Sequence, residues 1–412
     1  MLIVLLPILA HAFDLTAGDV TQGRFRGDST GQHADAITTG RLALHLGLKR
    51  TDWTLSLSPS VMQLDIGEPK SSLVLLSTAS LFADLKLTQR TALTLGETAT
   101  YGQENIQALS AARLAPVQDA GTTSSGSSGN TGPGAAPVGP AGGALAVVAP
   151  ANTTIRFGYL ATSLGITQTL DRNWSARAYG LYSVSRRFGS SNSVANDGVF
   201  PDSRTIAGTL ALSYLLNARN TISLTSMTSD TETDPSTTAL ISTVALGWNY
   251  RFERATSMTI NVGTSYTEYQ RPNTPTQSNM FPYGLATLNR TTAFGGGRAS
   301  LFASLGLYPT IDGFYGTVTE SFTSSAGVSW QKRRWSAVGM GYGTSSLGDG
   351  GHLSLLASYG AAETVSYGLD RKHWRASVGS YQTWQRYAFT TQSAAFWGGV
   401  VSIAYTTGAI PL

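Results

Sequence analysis

The five histidines are the side chains of this sequence best suited to acid–base chemistry at neutral pH. His11 lies in an N-terminal segment that we expect to be removed. His33, His352 and His373 fall in regions that we predict to be loops or turns, and His45 alone is predicted to face the interior of the fold. No spacing of serine, histidine and aspartate indicates a catalytic triad, and the absence of cysteine excludes thiolate chemistry. We therefore predict that the chain is not an enzyme.

Two further motifs are partly similar to ligand sites. Asp230, Glu232 and Asp234 alternate as the acids of a calcium loop do, but no glycine follows them and no glutamate closes the motif, so we predict a solvated acidic loop. The triplet Gly295-Gly296-Gly297 lies in a strand region without a following helix, and we interpret it as a kink in a sheet rather than a phosphate loop. We predict no metal and no cofactor.

The composition favours strands and turns. Of the 412 residues, 42% are hydrophobic and 13% are charged, yet no apolar run reaches the roughly 20 residues that a membrane-spanning helix needs. The 45 glycines suit strands and turns better than helices. The net charge of +4 is small and no Lys/Arg cluster is present, so nucleic acid is not an expected partner.

The N-terminus has the features of an export signal. The apolar run at residues 2–9 precedes Ala10-His11-Ala12, a small-x-small site of the kind that signal peptidase cuts. We therefore predict a signal peptide at residues 1–12 and a mature chain that begins at Phe13.

Apolar and polar residues alternate in many segments, which is the pattern of strands with one apolar face and one polar face. Leu42, Leu44, Leu46 and Leu48 share one face of such a segment, while Arg41, Ala43 and His45 share the other. Similar alternation occurs in segments around residues 53–58, 240–252 and 353–360.

The joints between these segments recur along the chain. Short polar turns are predicted at Arg50, Arg90, Arg172, Arg219, Arg254, Arg290, Arg333 and Arg371, most of them about 35 to 47 residues apart. Longer loops are predicted between them, such as residues 189–203, 229–236, 270–280 and 345–351. Short turns at one end and long loops at the other are typical of an outer-membrane barrel with two strands per repeat.

Tryptophan placement supports this interpretation. Six of the eight tryptophans lie beside a predicted tight turn, where an interfacial aromatic girdle is expected. These are Trp53, Trp174, Trp248, Trp330, Trp335 and Trp374.

The chain thus resembles the Gram-negative outer-membrane β-barrels, porins and export channels included, over almost its whole mature length. The resemblance implies one all-β domain at residues 13–412, a transmembrane antiparallel up-and-down barrel in the outer membrane. Eight tight turns join sixteen strands, and residues 394–405 add one at the C-terminus. An even count then requires a strand near residues 14–26, where the pattern is faint, so we predict about 18 strands, with 16 as the alternative. The chain departs from this class at its end, because it runs past Tyr405 instead of closing on an aromatic residue.

The faces opposite the apolar ones would line the interior, and they are rich in serine and threonine with few charges. The charged candidates for the lumen lining are Arg41, His45, Asp84, Lys86, Arg177, Arg251 and Arg375. They predict a weakly basic lumen without the single-sign charge rings of a strongly selective channel.

A low-complexity insert at residues 102–152 interrupts the repeat. Its Gly/Ser/Pro composition favours a disordered extracellular loop. Its position as the third long loop is similar to that of the constriction loop of porins, so a segment folded into the lumen is the alternative.

We hypothesise an outer-membrane pore for small polar solutes, embedded in outer-membrane lipid and lipopolysaccharide. Two alternatives stay open at this point. One is an export channel for exopolysaccharide chains that works with a periplasmic partner. The other is a closed structural or adhesive barrel.

Overall fold

The computed structural model describes residues 13–28, 31–48, 50–64, 66, 72–105, 154–188, 202–233, 237–253, 255–311, 318–347, 355–370, 373–387, 393–407 and 410–411. The first nine strands are β1 Phe13–Asp28, β2 Gly31–Leu48, β3 Thr51–Leu64, β4 Ser72–Lys86, β5 Thr91–Asn105, β6 Thr154–Thr169, β7 Trp174–Arg187, β8 Ser203–Asn217 and β9 Asn220–Thr233. The others are β10 Thr237–Glu253, β11 Thr256–Gln270, β12 Gln277–Phe294, β13 Gly297–Ile311, β14 Val318–Lys332, β15 Trp335–Ser346, β16 Leu355–Gly368, β17 Trp374–Tyr387, β18 Ser393–Thr406 and the two-residue β19 Ile410–Pro411.

The sheet closes on itself through β1. Each long strand pairs antiparallel with its sequence neighbours, and β1 pairs both with β2 and with β18, where Gly18 lies opposite Thr406. The short β19 adds two pairs at the start of β1. The 18-strand prediction is therefore confirmed over the alternative of 16, and the faint N-terminal segment is the strand that closes the barrel. No helix of the described residues is long and apolar enough to cross a membrane.

Exposure alternates along the strands and separates the two faces of the wall. On β10, Val244 and Leu246 are 50% and 56% exposed, whereas the alternate residues Thr243 and Ala245 are 5% and 3% exposed. The strand registers carry this division from strand to strand, because residues directly opposite each other point to the same side. Leucine, valine and isoleucine thus cover the outer wall, and serine and threonine predominate on the inner wall, as in a barrel surrounded by lipid.

One predicted turn is wrong by five residues. Arg290 lies within β12 on the outer wall, and the tight turn that follows is Gly295-Gly296, with φ of 59° and 74°. Both values lie in the left-handed region, which glycine adopts without steric cost and which two-residue hairpin turns require. The glycines are therefore a hairpin turn, and the interpretation as a kink in the sheet was incorrect. The spacing of arginines concealed this because Arg290 fits the repeat equally well.

Several predicted loop-end segments belong to strands. β9 extends to Thr233, so Asp230 and Glu232 lie on the outer wall of a strand and not in an acidic loop. Asp234 lies outside the described residues. β2 begins at Gly31 and includes His33, which was predicted to be in a loop. The strands persist because cross-strand pairing continues beyond the point where the apolar alternation fades.

Two predicted segments lie wholly or partly outside the described residues. The predicted insert starts inside β5, which extends to Asn105, and residues 106–152 lie outside the described residues. The predicted signal peptide, residues 1–12, and His352 also lie outside them.

Candidate functional site: the barrel lumen

Hydroxyl groups form cross-strand pairs around the inner wall. The Oγ atoms of Ser56 and Ser80 are 2.6 Å apart, joining β3 to β4. On the opposite side of the barrel, the hydroxyl oxygens of Thr243 and Ser265 are 2.7 Å apart between β10 and β11. Similar pairs are Thr39–Ser60, Thr78–Thr100, Thr205–Thr231 and Thr310–Ser321. Each pair satisfies one hydroxyl, and the part-buried pairs, unlike the buried Thr243–Ser265 pair, keep further hydrogen-bonding capacity for water or solute.

The seven charged residues predicted for the lumen all lie in strands, at positions that the register assigns to the inner side. Arg41 and His45 belong to β2, Asp84 and Lys86 to β4, Arg177 to β7, Arg251 to β10 and Arg375 to β17. Arg41 and Arg177 are each engaged in an interaction. Most of the seven lie within a few residues of a tight turn, so the structure gathers them towards that end of the barrel. Their part in a permeation path stays a prediction.

An acidic arc occupies this end over β1 to β4. Asp52 lies opposite Asp84, and Asp14 lies opposite His45. The Nδ1 atom of His45 is 3.2 Å from Oδ1 of Asp52 and 3.3 Å from the hydroxyl of Thr54. Asp14 and Asp52 were not among the predicted lumen residues, because Asp14 belongs to the faint strand and Asp52 follows a turn directly.

Arginines occupy the turn end over the rest of the circumference. Arg177, Arg251 and Arg375 were predicted, and Arg298 joins them as the second residue of β13. Arg375 has the same position in β17. Arg298 was missed because the preceding glycines were not recognised as a turn, so the inward phase of β13 was not assigned.

The loop end carries a second charged pair on the inner wall. Arg24 of β1 lies directly opposite Asp35 of β2, and each is 2% exposed. Both are engaged in interactions, as is His33 two residues from Asp35. The sequence pattern missed this pair because β1 could not be assigned a face.

Part of the inner wall is closed to solvent. Ser265 and Thr267 of β11 are fully buried, and Asn261 on the same face is 2% exposed. Any aqueous path must therefore run elsewhere in the cross-section.

Within the described ranges, no group of three or more acidic or histidine side chains is arranged to hold a metal ion.

The six tryptophans predicted for a girdle lie on the outer wall near the tight turns. Several of them pack against a second ring of a neighbouring strand, as Trp174 does with Tyr214 at a centroid distance of 4.7 Å. Trp335 packs on Tyr367 at 4.7 Å and Trp374 on Tyr405 at 4.8 Å. The indole N–H of Trp248 donates to Asn220 and that of Trp330 to the carbonyl of Phe294. Trp53 occupies the corresponding position in β3.

The remaining tryptophans mark the other end of the strands. Trp384 and Trp397 lie on the outer wall of β17 and β18, and Trp384 stacks on Tyr359 at 5.6 Å. Aromatic rings thus flank the apolar outer wall at two levels, as in barrels that cross a bilayer.

No family model matches the sequence. A search of curated proteins finds no significant match. Similar solved structures include Pseudomonas outer-membrane Opd/Occ porins and OccAB3 of Acinetobacter baumannii. OpdO of Pseudomonas aeruginosa is 9% identical, with a TM-score of 0.49 over 98% of each chain. OpdL of the same organism is 11% identical, with a TM-score of 0.45 over 96% of this chain and 98% of that one. OccK2, solved in complex with glucuronate, is 9% identical, with a TM-score of 0.46 over 97% and 98%. The closed barrel of 18 antiparallel strands that this chain forms, with its apolar outer wall, identifies the chain as a transmembrane β-barrel of the bacterial outer membrane.

Proposed function

We propose that this barrel is a non-enzymatic pore through which small polar solutes diffuse across the outer membrane. The observation that carries the proposal is the closed 18-strand wall lined with cross-strand hydroxyl pairs. Barrels of about 16 to 18 strands are wide enough to leave an aqueous channel, unlike barrels of eight strands. A wall of hydroxyls hydrogen-bonds neutral polar solutes without holding them tightly.

The charges of the lumen support a slight preference for anions. In this proposal Arg41, His45, Asp84, Lys86, Arg177, Arg251 and Arg375 line the lumen. Among the inward side chains that the structure describes, basic groups outnumber acidic ones. The acidic arc on β1 to β4 faces the same end as the arginines, so the field is expected to vary around the circumference and to orient dipolar solutes.

The aromatic residues support the placement in the membrane. We assign Trp53, Trp174, Trp248, Trp330, Trp335 and Trp374 to the interfacial girdle at the turn end, in contact with outer-membrane lipid. Amphipathic indole rings favour this depth because their N–H groups reach polar partners while the rings stay in apolar surroundings.

The first test is single-channel conductance of the purified, detergent-folded chain in a planar bilayer under a salt gradient. Large, steady steps with a slight preference for anions are expected. Flux of a neutral pentose, a sugar acid and an amino sugar into liposomes then measures solute preference, and we expect the sugar acid to enter faster than the amino sugar.

Charge variants relate the selectivity to the lumen. R251Q/R375Q should shift the reversal potential towards cations, and D52N/D84N should shift it towards anions. R290Q is the matched control, because Arg290 lies on the outer wall. An equal shift in R290Q would show that surface charge, and not the lumen, sets the selectivity.

A closed structural barrel is the second candidate, and the burial of Ser265, Thr267 and Asn261 on the inner wall favours it. This candidate predicts no channel current in the planar bilayer from a chain that migrates as folded on an unheated gel. That result would contradict the pore.

A further inference from the structure

Three arginines form a diagonal row on the outer wall at the loop end. Arg186 of β7 lies beside Gly158 of β6, two residues from Arg156. Arg204 of β8 lies beside Val184 of β7, two residues from Arg186. Diagonal neighbours of this kind are about 7–8 Å apart at Cα, within reach of one multivalent anion. We call Arg156, Arg186 and Arg204, with the rings of Tyr101, Tyr182 and Phe188, the rim patch.

Two of these guanidinium groups are available. In the parts of the chain that the structure describes, neither the Arg156 side chain nor the Arg186 side chain has a hydrogen bond or an ion pair. Arg204 is shared, since its Nη1 is 3.7 Å from Oε2 of Glu232 and its guanidinium lies 5.7 Å from the ring centre of Tyr182. The carboxylate of nearby Asp202 accepts the backbone N–H of Arg187 at 2.7 Å. The rim patch therefore keeps a positive charge despite its acidic neighbours.

Aromatic rings place the rim patch at headgroup depth. Tyr101 and Phe188 meet edge-to-face at 5.7 Å on the same wall. The Phe188 ring lies over Gly158, where a Cβ would come within 2.6 Å of it, so only glycine lets the ring lie across the strand. Arginine on the lipid face of a barrel is costly at the bilayer centre and tolerated near the interface. Guanidiniums next to interfacial rings are thus expected among the lipid headgroups.

The surroundings of the rim patch favour a bound headgroup. A hollow of about 700 Å³ lies there, lined by Tyr182, Arg186, Arg204 and Thr238 and also by the acidic Asp202 and Glu232. The charges on the outer wall at the loop end of β9–β14 are acidic, including Asp230, Glu232, Glu268 and Glu320, and a further arginine, Arg386, lies apart from them on β17. Anionic groups are therefore attracted to β6–β8 and repelled from β9–β14.

We propose that the rim patch binds the phosphate groups of a phosphorylated glycolipid in the outer leaflet. The proposal deepens the predicted contact with lipopolysaccharide and rests on the placement of the loop end at the cell surface. Arginine suits this ligand because its planar donors bind phosphate oxygens in pairs. The rings of Tyr101, Tyr182 and Phe188 would contact the sugar and the first acyl carbons of the same glycolipid.

The test measures binding of bisphosphorylated lipid A to the full, detergent-folded chain by native mass spectrometry. We expect R156Q/R186Q to bind it at least about tenfold more weakly, as expected for the loss of charge-assisted hydrogen bonds. R290Q, which removes an outer-wall arginine towards the tight turns, is the control and should bind as the wild type does. Dephosphorylated lipid A should bind wild type and double variant alike.

Three outcomes would overturn the proposal. An equal loss in R290Q would indicate general charge attraction. Equal binding of dephosphorylated lipid A to the wild type would indicate recognition of acyl chains. Displacement by millimolar inorganic phosphate would indicate a site for free anions. Because the rim patch lies outside the lumen, R156Q/R186Q should conduct ions as the wild type does, so failure of this proposal is distinguishable from failure of the pore.

Discussion

Glu363 offers a direct test of which face of the barrel meets lipid. It lies on the outer wall of β16, opposite Gly339 of β15 and Ser380 of β17. Tyr359 and Tyr367 lie on the same face of the same strand, four residues away on either side, and each packs on a tryptophan. At a rise of about 3.3 Å per residue, each ring is about 13 Å along the strand from Glu363. The carboxyl group therefore lies near the centre of the apolar wall.

Replacing this carboxyl group by an apolar side chain should stabilise the barrel in a bilayer. Charged side chains at the midplane of a barrel cost about 2–4 kcal/mol for Arg and Lys and less for carboxylates, and leucine adds favourable apolar contact. Against this gain, E363L loses the hydrogen bond that Ser380 donates to Oε1 at 3.1 Å. Such a bond contributes about 1 kcal/mol net. We expect E363L to raise the free energy of unfolding by about 1–2 kcal/mol, the difference between these terms.

Urea unfolding from lipid vesicles, followed by tryptophan fluorescence, measures this change. The matched control is E268L, because Glu268 also accepts a hydroxyl hydrogen bond on the outer wall, from Tyr266 at 2.9 Å. Glu268 lies two residues from the end of β11, where the cost of an outward charge falls to about 0–1 kcal/mol, so the lost hydrogen bond of about 1 kcal/mol should leave E268L without a gain in stability. If E363L is destabilising, or if E268L gains as much, this face does not meet hydrocarbon at Glu363 and the assignment of inner and outer walls is refuted.

Two further predictions concern the tight turns. G295A should lower the free energy of unfolding by about 1–2 kcal/mol, because Gly295 has φ of 59° and a Cβ there meets nothing closer than 3.9 Å, which leaves backbone strain as the cause. G295N should lower the free energy of unfolding by only a few tenths of the loss in G295A. G284A should leave it unchanged, because a Cβ at Gly284 meets nothing within 4 Å. Equal losses in G295A and G295N would contradict this account. The backbone N–H groups of Trp174 and Asn173 donate to Asp171 and lower the pKa of its carboxyl, with a smaller contribution from Arg90. Because the folded pKa is depressed, this stabilisation is complete above the ordinary aspartate pKa of about 3.9 and is lost as pH falls through the folded value. Unfolding of wild type and D171A should therefore differ at neutral pH and converge in acid, and a difference that does not change with pH would contradict the prediction.

The local sequence was sufficient for most of the elements and, where alternation is strong, for their two faces. Alternation such as that of Leu42 to Leu48 depends only on neighbouring residues, and the lipid environment reinforces it because each outward polar group is penalised. Five of the eight predicted turns therefore lie where arginine marked them, at Arg50, Arg90, Arg172, Arg219 and Arg333, while Arg254 and Arg371 lie outside the described residues. The same alternation assigned Arg251 and Arg375 to the polar face, although their function in the lumen stays a prediction.

The tertiary structure decided which distant residues become neighbours. Closure through the pairing of Gly18 with Thr406 joins segments nearly 400 residues apart, and no local pattern encodes that register. The acidic arc with His45, the pair Arg24 and Asp35, and the diagonal of Arg156, Arg186 and Arg204 all depend on such registers. A shift of one residue moves a side chain to the opposite wall, so the phase of every strand must be known before a charge can be assigned to the lumen or to lipid. Sequence alone supplied that phase where alternation was strong and failed at β1 and β13, where it was weak or where the turn was misplaced.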